Sequence, residues 1–446
     1  MSEKQQRERG LFPILLLMIL VAPTQWGLTI KGIPVAPADL VLGVGFLVWA
    51  VLALRKQVRP AMPPACLWML VAVALASAVN AIRAVNTGQG FVFMAPGYEI
   101  AGTPLKSVAE VVQLVEYFLV AYVLAFSAVR EERHARVAGL ALAAVTALVV
   151  LGGLFHYVTR ADEPFFVRSS FGSRGIYGGY LAMTLPVLFA MALYSVDTRL
   201  RLGLFAVVIA GAVTILSPGA LIGLVTALLL VAGRSSSRVL QATLAGVLAF
   251  GVVTAIALPR NYDQNVYQFL HFRTADEQQL RAQWREWLAG VFITQEHPLL
   301  GVGPGNFQQN LANAYGAHGL EYPGKARPGA DLASGLMEPD TNNLYVVTAA
   351  TTGLLGLAAL LWMLIYFGKA ASAVVRRPGS GVARVLALGI WGGIIGFAVT
   401  SVFSSLLVRG TGIVLAIFFA LAAVLYECRW PASETTEGGA PELRVV

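Results

Sequence analysis

Arg281 and Arg285 stand one helical turn apart in a stretch that also holds Trp284 and Trp287. A guanidinium is a planar fork that grips two phosphate oxygens at once, so paired arginines beside aromatic rings suit a phosphate at headgroup depth. Across 274–296 the apolar residues Leu280, Trp284, Trp287, Leu288, Val291 and Phe292 recur at helical spacing, and Thr274 and Glu277 have the spacing of a capping box. The pattern predicts an amphipathic helix lying flat on a membrane surface, its tryptophans at the interface. The two arginines fall at the edge of its apolar face. There they either bind a particular lipid phosphate or snorkel to ordinary headgroups.

Other candidate chemistry lies nearby. The string His297-Pro298-Leu299-Leu300-Gly301-Val302-Gly303-Pro304-Gly305-Asn306-Phe307 is glycine-dense, which permits positive φ and close approach of other groups. No strand precedes it, so a nucleotide loop is not indicated, and His297 before a proline reads as a helix terminator. Glu338 and Asp340 sit just ahead of Asn342-Asn343 and Tyr345, with Asp340 and Thr341 also good helix caps. Glu110, Gln113 and Glu116 share one face of an apolar helix. Carboxylates at membrane depth face a cavity or a neighbouring helix, so these read either as a polar cavity wall or as interhelical hydrogen bonding.

The elements that must position these groups are membrane spans. Of 446 residues 57% are hydrophobic and only 13% charged, with mean hydropathy +0.70, which no soluble domain of this size could hide. Cys66 and Cys428 are too far apart in sequence to suggest a disulfide framework or a metal cluster. Apolar runs near the length a bilayer requires occur at 11–28, 37–54, 65–82, 107–128, 136–158, 177–196, 200–216, 218–233, 238–258, 343–368, 382–407 and 411–428. The expected fold is therefore an all-α polytopic membrane protein of about 12 transmembrane helices. It divides into nine N-terminal spans over 1–258, a loop over 259–342 with the amphipathic helix, three spans over 343–430, and a disordered tail over 431–446.

Net charge is +8, but the basic residues are sorted by loop. Lys4, Arg7, Arg9, Arg55, Lys56, Arg59, Arg130, Arg133, Arg136, Arg199, Arg201, Arg234, Arg238, Lys369, Arg376, Arg377 and Arg384 fall in one alternate set of loops. The positive-inside rule then puts both termini in the cytoplasm. These charges read as topology anchors, and no nucleic-acid partner is indicated. The opposite loops, 83–106, 159–176 and 259–342, are unusually polar, and beside Arg83 and Lys106 their basic charge is strongly arginine-biased, with Arg160, Arg168, Arg174, Arg260, Arg273, Arg281 and Arg285 among them.

HPLLGVGPGNF, followed by Asn343-Leu344-Tyr345 and Gly353-Leu354-Leu355-Gly356-Leu357, resembles the bacterial O-antigen ligase and polymerase superfamily. Phe171-Gly172-Ser173-Arg174-Gly175-Ile176-Tyr177-Gly178-Gly179-Tyr180-Leu181 extends the resemblance upstream, so that it covers about 171 to 357. The resemblance implies a membrane-embedded, metal-independent, inverting glycosyltransferase with no cofactor. It would move a glycan from undecaprenyl diphosphate to a lipid A-core or growing-chain hydroxyl at the periplasmic face of the bacterial inner membrane. Donor diphosphate-binding residues would be Arg174 and Arg281 or Arg285, since Gln283 takes the place of the family's arginine if Trp287 is its tryptophan. Glu110, Glu116, Asn343 and Tyr345 would line the donor or acceptor cavity. The family's His-Asn pair aligns on Asn342-Asn343, and asparagine takes no proton at neutral pH. The resemblance thus leaves the base to a carboxylate, Glu338 or Asp340, with Asn342 orienting the acceptor; His318 and Glu321 are alternatives in the same loop. A transporter or flippase of lipid-linked sugars, and a non-catalytic relative in envelope assembly, are the rival readings. The sequence shows no internal repeat of the transporter kind.

Overall fold

The computed structural model describes residues 11–24, 28–30, 33–58, 62–87, 104–159, 167–257, 277–319, 342–377 and 381–427. In chain order these form α1 (Leu11–Val21), the strands β1 (Leu28–Ile30) and β2 (Ile33–Val35), α2 (Pro37–Leu54) and α3 (Pro64–Thr87). Next come α4 (Pro104–Val115), a π-helical turn (Glu116–Ala121) that leads into α5 (Tyr122–Ala128), then α6 (Glu132–Thr159), α7 (Arg174–Tyr194) and α8 (Thr198–Thr214). The chain continues through α9 (Pro218–Ser235), α10 (Ser237–Ala257), α11 (Glu277–Glu296), α12 (Phe307–Ala317), α13 (Leu344–Arg376), α14 (Gly381–Thr400) and α15 (Arg409–Glu427). The strands pair as an antiparallel hairpin, Leu28 opposite Val35. The all-α expectation omitted this hairpin.

Among the described residues, nine helices are long and apolar enough to cross a membrane. The chain is a multi-pass membrane protein by that measure. Two other expected spans fall short of the length, α1 with 11 residues and α8 with 17, and α10 (21 residues) is apolar over its described part, Ser237–Val253. The bundle has a clear centre. In α7 and α15, 89% of the apolar window is buried, against 17% in α2 and 33% in α3. The central helices pack through small residues, as helices in lipid do. Gly389, Gly393 and Gly396 of α14 abut Val187, Met183 and Ala182 of α7 so closely that a Cβ would collide. Phe367 of α13 stacks on Phe419 of α15 at 4.3 Å.

One expected span ends early and another is interrupted, both for visible reasons. Hydropathy carries the eleventh span to 407, but α14 stops at Thr400 and 401–408 leaves the helix. Its apolar side chains plug the gaps between helix starts: Phe403 lies where a Cβ on Gly219 would be, and Leu406 against Gly179. The segment packs across helix starts instead of continuing α14. In α13, Gly353 has φ 70° and ψ −174°, which breaks the helix ten residues from its start.

One end of the bundle gathers the polar groups. Ser170 Oγ donates to the Pro23 carbonyl at 2.7 Å, and Leu344 N donates to the Ser401 carbonyl at 2.9 Å. Arg409 Nε meets Asp39 Oδ1 at 2.7 Å, and Gly305 N donates to Glu110 Oε2 at 2.6 Å. At the other end His134 stacks on Phe12, and Arg377 Nη1 donates to the Tyr426 carbonyl at 2.7 Å. That end carries the expected anchors of α2, α6, α8, α9, α13 and α14.

Candidate functional site

The amphipathic helix expected over 274–296 is present as α11, described from Glu277. Residues of the expected apolar face are turned outward, and a different pair seats the helix on the protein. Ala289 and Ile293 are buried against Val302, Phe307, Leu311, Tyr315 and Ala350. Trp284 is 59% and Val291 40% exposed, so the larger apolar residues face outward. Ala289 and Ile293 seat the helix, and Trp284 and Val291 are left for the surroundings, as in an interfacial helix.

The glycine string has a specific task. Where Gly353 breaks α13, its neighbours lose their intrahelical partners, and backbone groups inside a membrane protein must find others. The glycine loop supplies them. Val302 N donates to the Ala350 carbonyl at 2.9 Å and Gly303 N to the Thr351 carbonyl at 2.8 Å, while Leu354 N donates to the Pro298 carbonyl at 2.8 Å. Gly301, Gly303 and Gly305 all have positive φ (63°, 86° and 81°). A Cβ on Gly301 would strike the Ala350 carbonyl, and one on Gly303 would lie 2.9 Å from Asn80 Nδ2. His297 closes the preceding helix, its carbonyl accepting from Gly301 N at 3.0 Å. The loop is a brace that ties α11 to α13, α3 and α4.

This brace fixes α11 beside the start of α13. Asn343 caps α13, its Oδ1 accepting from Tyr345 N at 3.0 Å and Val346 N at 3.2 Å. Asn342 just before it has φ 50°, a left-handed conformation that asparagine tolerates. Its exposed side chain donates from Nδ2 to Glu286 Oε2 on α11 at 3.3 Å. Between the two helices runs a cleft of about 370 Å³, lined by Val291, Pro298, Asn343, Tyr345, Val346 and Leu357 among others. Its walls are mainly apolar; Asn342 directly precedes its lining residue Asn343, and Glu286 lies five residues before Val291 on α11.

The residues singled out in the sequence fare unequally. Glu338, Asp340 and Glu321 lie outside the described residues, as do Arg160, Arg260, Arg273 and the side chains of Arg83, Lys106, Arg281 and Gln283. Arg285 is half-buried on α11, one residue from Glu286. Arg174 opens α7 behind its cap Ser173, whose Oγ accepts from Ile176 N at 3.2 Å. A Cβ on its neighbour Gly175 would lie 3.1 Å from Ser404 Oγ, three residues from the Ser401 carbonyl that holds Leu344. Arg174 and Asn342-Asn343 therefore border the same 401–408 segment. Arg168 instead braces its own turn, Nη1 donating to the Gly172 carbonyl at 2.8 Å.

Tyr345 lines the cleft with its ring while its hydroxyl donates to the Ala398 carbonyl at 2.7 Å. Glu110 and Glu116 do not line it. Glu110 holds the glycine loop, and Glu116, where the π-helical turn begins, lies within electrostatic reach of Asp39 and Arg409. His318 stacks on Phe292 at 3.7 Å with Nε2 3.9 Å from Glu296 Oε1. Those partners lie two to three turns from Glu286, about 9–15 Å along the axis, so His318 is not beside Asn342.

Glu286 and the Asp39–Arg409 pair were missed in the sequence. Glu286 follows Arg285 on α11 and carries no motif of its own. Asp39 and Arg409 are separated by nearly the whole chain and carry no local signal. Among the described residues no group of three His, Cys, Asp or Glu side chains is placed to hold a metal ion. The chain matches no protein-family model and no curated protein.

Proposed function

We propose that the chain is a membrane glycosyltransferase that moves a glycan from a polyprenyl diphosphate to an acceptor hydroxyl, at the bundle end where Asn342 meets Glu286. The observation that carries this reading is that contact: a carboxylate on an amphipathic helix, hydrogen-bonded to an amide, one residue from an arginine, with the amide next in sequence to Asn343, which lines an apolar cleft. The cleft offers apolar walls for the first isoprene units of a lipid donor, and Arg285 and Arg174 supply guanidiniums for its diphosphate. The acceptor oxygen attacks the anomeric carbon, the bond from that carbon to the phosphate oxygen breaks, and the lipid diphosphate leaves with the electron pair. Glu286 takes the acceptor proton. One in-line displacement inverts the anomeric centre. Asn342, which cannot accept that proton, orients the hydroxyl and the carboxylate.

The resemblance of HPLLGVGPGNF, Asn343-Leu344-Tyr345 and the Phe171–Leu181 string to O-antigen ligases and polymerases supports the same reading. It further suggests undecaprenyl diphosphate as donor, a lipid A-core or polysaccharide acceptor, and the periplasmic face of the bacterial inner membrane. The test is reconstitution of the full chain in liposomes with an undecaprenyl-diphosphate-linked oligosaccharide and an acceptor glycan. Release of undecaprenyl diphosphate in step with new glycosidic bonds is expected. Movement of intact donor across the bilayer without release would instead mark a flippase.

A further inference from the structure

The end of the bundle away from the glycine loop has a cavity of its own, of about 650 Å³, lined by Arg234, Val375, Arg376, Arg377 and Arg384. Three of these guanidiniums are held in place by neutral groups. Arg234 lies 4.2 Å over the Trp391 ring and donates from Nη1 to Ser372 Oγ at 3.0 Å. Arg376 Nη2 donates to the same hydroxyl at 3.3 Å. Arg377 sits 4.4 Å over Tyr426 while donating to that residue's carbonyl. Among the described residues none of the four forms an ion pair.

Topology anchoring alone predicts basic side chains spread into water, with no need for a common cavity. Here charges from three helix ends converge. Arg384 lies in the first turn of α14, where the helix dipole favours an anion over a cation. Like charges drawn together without a carboxylate repel unless an anion joins them. The surroundings indicate which anion. Leu230, one turn before Arg234 on α9, is 41% exposed, and Tyr426 is 44% exposed. Apolar surface thus runs from the cavity along the span, and an aromatic ring marks headgroup depth.

We propose that this cavity binds the phosphate headgroup of an anionic phospholipid, with the acyl chains running along α9 past Leu230. Basic pockets between helix ends are suited to such headgroups, and arginine forks grip phosphate oxygens in pairs. The site is separate from the Asn342–Glu286 end and does not depend on the transferase reading.

Full-length protein, delipidated in detergent, is titrated with cardiolipin, phosphatidylethanolamine or inorganic phosphate, and bound lipid is counted by native mass spectrometry. Cardiolipin should bind at least about 10-fold more tightly than phosphatidylethanolamine, the range of one or two charge-assisted hydrogen bonds. Arg384→Gln, which removes an exposed side chain, should erase most of that preference, and Arg234→Gln with Arg384→Gln the rest. The paired control Arg199→Gln with Arg201→Gln removes as much charge from the same end and should preserve it. Equal loss in the two pairs would reduce the effect to bulk charge and overturn the proposal. Inorganic phosphate binding as tightly as cardiolipin would overturn it as well. So would cardiolipin binding that appears only after removal of 431–446, because Glu434, Glu437 or Glu442 would then be the native anion.

Discussion

Asn342 on the threshold of α13 donates a 3.3 Å hydrogen bond to Glu286 on α11, across 56 residues of sequence. Two features make that contact reproducible. The cap at Asn343 fixes where α13 starts, and the glycine loop fixes where α11 lies against it. A carboxylate is thereby held beside residue 342, which is itself an asparagine and takes no proton at neutral pH.

If the break in α13 depends on its glycine, Gly353→Ala should be severe. The conformation at φ 70°, ψ −174° is one that only glycine adopts easily, and a Cβ would collide with the Leu299 carbonyl. A loss of at least about 2 kcal/mol is expected, read as a lower thermal unfolding temperature in detergent. Gly368→Ala on the same helix has nothing within 4 Å of its Cβ. It should be neutral or stabilising by up to about 1 kcal/mol. Equal effects at the two positions would mean that the loop does not brace the break.

Asp39 and Arg409 form a 2.7 Å pair with side chains only 15% and 16% exposed. Asp39 Oδ2 also accepts from Ala36 N at 2.8 Å at the start of α2. Removing either charge leaves the other poorly solvated, at a cost on the order of 3 kcal/mol. In a double-mutant cycle of Asp39→Asn and Arg409→Gln, the double variant should lose clearly less than the sum of the singles. Additive losses would show that the pair is not coupled.

Arg285 and Arg174 are assigned to the donor diphosphate, so their loss should weaken donor use before it affects the fold. Arg285→Ala and Arg174→Ala should each lower kcat/KM for the lipid-linked donor about 10- to 100-fold, the worth of one charge-assisted hydrogen bond. The acceptor KM should stay unchanged. Full donor activity in Arg174→Ala would remove that residue from the site.

Much of this architecture was legible in the sequence because lipid imposes simple rules. Length and hydropathy located the spans, and spacing located α11. The same rules misread 401–408, where apolar side chains plug the bundle rather than cross it. They also marked the outward apolar face with Trp284 and Val291 but not the pair Ala289 and Ile293 that seats the helix on the protein. The glycine string was recognisable as a place of close backbone approach, but its partner, the break at Gly353, was hidden within a continuous apolar run. The site itself was least legible. Glu286 gains its meaning from a residue 56 positions away, and no periodicity reports that contact.

The most direct measurement is single-turnover transfer by Glu286→Gln, reconstituted with lipid-linked donor and acceptor, beside the unaltered chain and Asn342→His. General-base catalysis is worth about 10²- to 10⁴-fold. The Glu286→Gln chain should therefore bind donor normally and transfer at least about 100-fold more slowly. Asn342→His should keep the fold, since histidine also tolerates left-handed φ, and should restore part of the rate when combined with Glu286→Gln. Transfer by Glu286→Gln at the unaltered rate would contradict the account.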